Sequence, residues 1–267
     1  MEEGGAEFVA CYPGRDFPSV SVTGVSCLQM CAHCRGRHLA GMLPADGAGS
    51  IPGLVGKEGV LISGGCDRDG AVPLGDRVDE IAEASRKGWV NVHAGFSDAA
   101  TVAALVAAGV HRFSVDVHQD PEVISNVLNL DREPDEYADL LRTISEAGGV
   151  AVPHLTLGLG DADFTRSASL VAGMGFRDAV LLTLVPGSGE FDYPDEGAVV
   201  GAVRFLKGLG LSVTLGCMRD RRMRGLEARL LDEGVTRMAN PSPETVALAE
   251  SRGMRVVVDR RCCCIGL

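Results

Sequence analysis

Eight short apolar runs, each followed by a stretch with helical spacing, recur along the chain and constrain its fold more than any other feature. The runs cover 20–23, 60–63, 90–93, 113–117, 150–156, 179–184, 211–215 and 236–239. Val60-Leu61-Ile62-Ser63 is apolar at successive positions, as a strand buried on both faces is. Between the runs, 76–86, 98–108, 136–146, 164–174, 196–207, 226–231 and 243–251 repeat apolar residues at three- and four-residue spacing. Ser97 or Asp98 is placed to cap the second of these, and Pro121 opens a further helix at 121–128. A helix is also expected at 35–42, before a Gly- and Pro-rich loop. Strand–helix alternation predicts an α/β fold with a parallel sheet, and eight units predict a closed (β/α)8 TIM-type barrel. A doubly wound open sheet is the alternative, because periodicity does not report closure. The expected division is a loose lead-in at 1–16, the barrel at 17–254, and a strand with a cysteine-bearing tail at 255–267.

A length of 267 residues suits one such barrel, and with only 4% aromatic residues its core must be mostly Val, Leu and Ala. Acidic residues outnumber basic ones 36 to 25, which weighs against general binding of nucleic acid or anionic lipid. Arg219-Asp220-Arg221-Arg222-Met223-Arg224 is a local basic exception. No apolar run approaches the roughly 20 residues of a membrane span. Met1-Glu2-Glu3-Gly4-Gly5 lacks the pattern of a signal peptide, so a cytoplasmic location is expected. Reduced thiols are then expected of the nine cysteines, rather than disulfides.

Three of those cysteines, Cys27, Cys31 and Cys34, stand at C-x3-C-x2-C spacing just past the first strand. A short loop of this kind can turn three thiolates towards one centre, and soft thiolates select iron–sulfur clusters, Zn²⁺ or Cu(I). Three thiolates leave one iron of a four-iron cluster open to a substrate or cofactor. A structural zinc ion would need a fourth ligand, and His33, beside Cys34, is badly placed to be one. Cys262, Cys263 and Cys264 are adjacent, which favours metal ligation over mutual disulfides; Cys11, Cys66 and Cys217 stand alone.

In barrels of this type chemistry gathers at the C-terminal ends of the strands. Ser63-Gly64-Gly65-Cys66, His93, Asp116 with His118, His154, Pro186-Gly187, Cys217 and Asn240 all fall at or just beyond such ends. The histidines read either as cavity-lining hydrogen-bond donors or as satisfied structural residues. Lone Cys66 and Cys217 read either as ligands or as small hydrophobes.

The cysteine loop after the first strand, with Ser63-Gly64-Gly65 ending the second, resembles the radical S-adenosylmethionine (SAM) superfamily. That resemblance implies a [4Fe-4S] cluster on Cys27, Cys31 and Cys34 whose open iron is chelated by SAM. Reductive cleavage of SAM would then yield a 5′-deoxyadenosyl radical that abstracts hydrogen from substrate. It also implies that Ser63, Gly64 and Gly65 contact the methionine amino group and that His33 lies near adenine. Asp116, at the end of its strand, reads either as a ligand of the SAM ribose hydroxyls or as the cap of a following turn. His154 is a further candidate for the cofactor site. Where the family often has an acid after the glycines, this chain has Cys66, with Asp67 next.

A narrower resemblance rests on Val22-Thr23-Gly24, His33-Cys34, 61–66, Val152-Pro153-His154 with Gly158-Leu159, Gly216-Cys217 and Pro241-Ser242. These look like the archaeal-type, two-subunit lipoyl synthase group of the biotin-synthase-like branch. That resemblance implies sulfur insertion into an octanoyl chain on a lipoyl carrier protein domain. It also implies a second radical SAM subunit and an electron donor such as ferredoxin. A second iron–sulfur cluster could draw on Cys66, Cys217, Cys262, Cys263 and Cys264, the tail folding over the cavity mouth. Arg219, Arg221 and Arg222 could meet an acidic carrier or the SAM carboxylate, or be solvated surface. Other readings are methylthiolation, methylation or rearrangement, a non-catalytic iron–sulfur accessory subunit, and a zinc-binding barrel.

Overall fold

The computed structural model describes residues 6–187, 190–223 and 225–267. Eleven strands form one parallel sheet: β1 (Glu7–Cys11), β2 (Ser19–Ser21), β3 (Leu43–Pro44), β4 (Gly59–Ser63), β5 (Trp89–Val92), β6 (Arg112–Asp116), β7 (Ala151–Leu157), β8 (Asp178–Thr183), β9 (Ser212–Leu215), β10 (Arg237–Ala239) and β11 (Arg255–Asp259). Their order is β11-β1-β10-β9-β8-β7-β6-β5-β4-β2-β3. From β4 to β11 each strand is followed by a helix before the next begins: α1 (Val78–Lys87), α2 (Ala99–Ala107), α3 (Asp135–Glu146), α4 (Asp161–Gly173), α5 (Glu196–Gly208), α6 (Leu226–Asp232) and α7 (Pro243–Ser251). Parallel neighbours need such crossovers, which explains the alternation in the sequence.

Four expectations are corrected here. The sheet does not close as eight strands; it curls, with β3 and β11 as its edges. And Glu7–Cys11, expected as loose lead-in, is a strand between β10 and β11, with Val9 opposite Arg237 and Glu7 opposite Arg255. The reason is burial: Phe8, Ala10 and Cys11 are completely enclosed there. The 35–42 span makes only a 3-10 turn, Arg37–Gly41, and 121–128 a π-helical turn, Val123–Val127.

Strand side chains divide between two layers by their period of two. Leu155 of β7 and Leu181 of β8 pack in one cluster with Val171 of α4 and Val203 of α5. Val152, Val180 and Leu182, at the alternate positions, pack with Cys11, Cys263 and Cys264 inside the curl. That concave side encloses a cavity of about 720 Å³ bordered by strand ends from β4 to β9. Asp98 caps α2 by accepting from the Thr101 amide at 2.7 Å. No helix among the described residues is long and apolar enough to cross a membrane.

Candidate active site

The cysteine loop leaves β2 and is held from three directions. Thr23 Oγ1 accepts from the Gly65 amide at 2.7 Å, and the Leu28 and Gln29 amides donate to the Cys66 carbonyl at 2.8 and 3.3 Å. Beyond β6, the Ala32 amide donates to Val127 O at 2.7 Å, Gln29 Nε2 to Leu128 O at 2.8 Å, and Asn129 Nδ2 to Gln29 O at 2.8 Å. Beyond β8, the Gly187 amide donates to His33 O at 2.7 Å. These ties fix Met30 (φ 50°) and Arg35 (φ 48°) in the left-handed region, costly for non-glycine residues and persistent only where surroundings impose it. Gly65 is where the two motifs touch: a Cβ there would lie 1.9 Å from Ser26 O and 2.6 Å from Cys27 Cα. Only glycine admits that approach.

The sulfurs of Cys31 and Cys34 and a ring nitrogen of His33 lie within 4.8 Å of one another. Cys27 Sγ is turned towards Cys66 O, 3.8 Å away. The Cys31 thiol hydrogen-bonds Cys34, which pushes the Cys31 thiol up and, against burial, pulls Cys34 down, His33 helping. One thiolate is therefore already favoured in the loop. His33 Nδ1 is buried without a hydrogen-bond partner among the described residues, and none of the nine cysteines is in a disulfide. A soft donor set of three thiols with a buried orphan nitrogen beside it fits a thiolate-ligated iron–sulfur cluster.

Ser63, Gly64 and Gly65 border the same cavity, as do His93, Asp116, His118 and His154. Ser63 Oγ donates to His93 O at 3.3 Å. The carbonyls of Gly64 and Gly65 receive no hydrogen bond among the described residues. Burial works to raise the Asp116 carboxyl, but the surrounding imidazoles, His93 first, hold it below its usual value. His93 Nδ1 is 3.9 Å from Asp116 Oδ2, and its ring meets that of His154 edge-on at 5.2 Å. Burial, then His154, lowers the His93 pKa, and Asp116 opposes them. His118 is a structural residue by contrast. Its Nδ1 is 2.8 Å from Asp163 Oδ2, and Asp163 Oδ1 accepts the amides of Gln119 and Asp120 at 2.6 and 2.9 Å.

The tail corrects a further expectation. It does not fold over the cavity mouth; it lies inside the curl and forms part of the cavity wall. Arg112, opening β6, donates to Leu267 O from Nε and Nη2 at 2.9 and 2.5 Å. The sulfurs of Cys262, Cys263 and Cys264 lie within 4.8 Å of one another, against residues in the middle of β5, β6 and β7. Asn91 Nδ2 donates to Cys262 Sγ at 3.7 Å and Ser114 Oγ to Cys264 Sγ at 3.6 Å. His154 Nε2 is 3.5 Å from Cys264 Sγ, so His154 belongs to the tail's surroundings more than to the rim. Hydrogen bonds from Cys263 and Cys264 pull the Cys262 thiol well down and push its two neighbours up.

Cys66 and Cys217 border the cavity without joining either three-residue group. Burial, then Cys27, pushes the Cys66 thiol up to about 12. Cys11 lies behind the tail, 3.7 Å from Arg237 Nη1. The basic stretch is internally engaged: Arg219 donates to Gly216 O and Ala239 O, both at 2.7 Å, and to Glu227 Oε1 at 2.5 Å. Arg221 donates to Asn240 O at 2.8 Å, and Arg222 grips Asp220 and lies over Tyr193. Arg219 and Arg221 also border the cavity; Arg224 lies outside the described residues.

Sequence reasoning missed Asn91, Ser114, Asp163 and Tyr137. The first two carried a signal, a polar residue at the centre of an otherwise apolar strand (Val90-Asn91-Val92, Phe113-Ser114-Val115). Asp163 lay unmarked in a helix. Tyr137, also helical, packs its ring on Phe96 at 4.8 Å and borders the cavity.

No family model matches the chain, and no curated protein matches it. Solved structures do. Methylornithine synthase (PylB) superposes with a TM-score of 0.64 at 13% identity, covering 94% of this chain and 84% of that one. The FeFe-hydrogenase maturase HydG from Carboxydothermus hydrogenoformans gives 0.65 at 13% identity, over 94% of this chain and 67% of that one. A second HydG structure, described as a maturase of the [FeFe]-hydrogenase, gives 0.62 at 14% identity, and the chain spans only 57% of its length. What this chain shares with them is the fold, a curled parallel α/β sheet.

Proposed function

We propose that the chain is a radical SAM enzyme that abstracts a hydrogen atom from its substrate. One observation carries the reading: the thiol-bearing C-x3-C-x2-C loop and Ser63-Gly64-Gly65 meet at Gly65 and border one cavity. The solved structures that share the fold, PylB and HydG, are radical SAM enzymes, which supports it.

Cys27, Cys31 and Cys34 would hold a [4Fe-4S] cluster. The chemistry it supplies when bound is one-electron reduction of SAM. The residues of this chain bind and orient. The free carbonyls of Gly64 and Gly65 are suited to accept from an ammonium group. Asp116, kept ionised by its imidazole neighbours, can accept from ribose hydroxyls. Val72, Leu130 and Leu182 line the cavity with apolar surface, which excludes water from a reactive intermediate.

The finer reading is sulfur insertion into an octanoyl chain on a lipoyl carrier domain, with a second radical SAM subunit and a ferredoxin-type donor. The sulfur-rich cavity lining supports it, since Cys66 and Cys217 face the same space as the triad. A second iron–sulfur cluster is part of that reading. Methylation or rearrangement puts no sulfur into the product and would need no such lining, whereas methylthiolation would share it.

The test is anaerobic reconstitution followed by reduction with SAM. Formation of 5′-deoxyadenosine that is lost in Cys31→Ala supports a radical SAM enzyme; deoxyadenosine persisting in that variant sinks it. Mass spectrometry of an octanoylated carrier peptide then decides whether sulfur is transferred.

A further inference from the structure

The tail thiols are set for a different occupant from the loop thiols. We propose that Cys262, Cys263, Cys264 and His154 form a four-donor site for a single tetrahedral divalent ion, with zinc as the reference metal. This inference does not rest on the radical SAM reading.

Four observations lead there. First, spacing. With Zn–S near 2.3 Å and Zn–N near 2.0–2.1 Å, a tetrahedron sets sulfurs about 3.8 Å apart and a sulfur about 3.5 Å from a nitrogen. Cys262 Sγ and Cys264 Sγ are 3.7 Å apart, and Cys264 Sγ is 3.5 Å from His154 Nε2. His154 stands beside Cys264 and outside the 4.8 Å group of the three sulfurs, so a turn of its ring towards the other two completes the tetrahedron when the ion binds. A four-iron cluster spreads its thiolates over separate iron corners, and so needs wider spacing. In the loop only Cys27 stands apart, outside the 4.8 Å group that Cys31 and Cys34 form with His33, whereas all three tail sulfurs fall within that distance.

Second, tautomer. His154 Nδ1 is 3.0 Å from Val152 O, and a carbonyl can only accept. The proton is therefore on Nδ1, and the Nε2 lone pair points at Cys264. Ligating imidazoles are commonly held by such a bond from the other nitrogen. Third, support. Asn91 and Ser114 donate to Cys262 and Cys264 sulfurs, the bonds that anionic thiolates need when buried. Their own side chains are paired, with Asn91 Nδ2 3.0 Å from Ser114 Oγ. Fourth, access. Cys263 and Cys264 are 4% and 1% exposed, yet all three tail cysteines border the cavity, which gives the ion a route in. Three thiols and one imidazole make a closed donor set, the type found in structural zinc sites. Binding would displace the thiol protons to solvent and involve no change of oxidation state.

The experiment uses the full chain with Cys27, Cys31 and Cys34 all changed to Ala, so that the loop triad no longer binds metal. After incubation with Zn²⁺ and dialysis, it should retain one zinc per chain with no acid-labile sulfide. X-ray absorption of that zinc should show three sulfur scatterers and one nitrogen. Co²⁺ in its place should give intense tetrahedral bands with thiolate charge transfer. His154→Gln in the same background should weaken Zn²⁺ at least tenfold, because even a residue that only supports a ligand commonly costs 10–100-fold. Cys264→Ser should do the same. Iron with matching sulfide on the tail, a four-sulfur zinc shell, or a folded chain that holds no metal would each overturn the proposal. Loss of SAM cleavage in the triad variant bears on the radical SAM reading alone.

Discussion

The molecule carries two sets of three cysteines, and they are built in opposite ways. The loop set stands on irregular backbone at the strand ends, held chiefly by main-chain hydrogen bonds from distant connections. It leaves Val25 and Leu28 74% and 61% exposed beside it. The tail set is enclosed by strand side chains, and its sulfurs receive hydrogen bonds from Asn91 and Ser114. Metal sites that do chemistry keep a position open, whereas sites that brace a fold are closed. On the two proposals above, the loop set would have the first design and the tail set the second. Cysteine count and spacing alone would have treated them alike.

The comparison can be broken most sharply at the loop. Cys31→Ala should abolish cluster iron and SAM cleavage while leaving the tail's metal content unchanged; simultaneous loss at both sites would mean that they are one centre. Gly65→Val comes next. It forces a side chain against Ser26 O and Cys27 Cα, and should cost about 3 kcal/mol in urea unfolding together with cluster loading. Full stability in that variant would show that the loop can stand away from β4. At the other site, Arg112→Ala removes two hydrogen bonds to Leu267 O and should cost about 1–2 kcal/mol. Faster maleimide labelling of Cys263 and Cys264 should accompany it, with no change at the loop.

The smallest effect lies between the two sites, at His93. Burial lowers its pKa, so it titrates below the ordinary 6.5 in the folded chain. The unfolded chain then takes up that proton first, so the His93 contribution to stability is full above about 6.5 and is lost as pH falls through the folded value. Asp116 opposes the shift, and Asp116→Asn should move the His93 titration lower still, as imidazole NMR would show. An upward move would mean that Asp116 and His93 do not face each other across the cavity.

The helices and most strands were legible because buried parallel strands and amphipathic crossovers print two different periods in a sequence. The loop triad was legible because its spacing is local. What could not be read was pairing over long range. β1 is an apolar stretch like the others, but nothing local says that it slots between β10 and β11, more than 220 residues away. Closure failed for the same reason: a strand count does not reveal which strands are edges. The tail's destination left one trace, the polar Asn91 and Ser114 inside apolar strands, and it became readable only with their partners in view. Arg219 resembled a surface charge because Glu227, its counterion, lies on a later helix.

The fixings of the cysteine loop bear on how the molecule is made. Gln29 and Ala32 bond to residues about a hundred positions later, and His33 to one later still. Contacts of such long sequence separation form late, after the entropy of closing the intervening chain has been spent. The loop thus acquires its shape only once β6 and β8 are in place. A chain emerging from synthesis presents three scattered thiols long before it presents a formed loop, and on the proposed function metal loading would belong to the nearly finished protein.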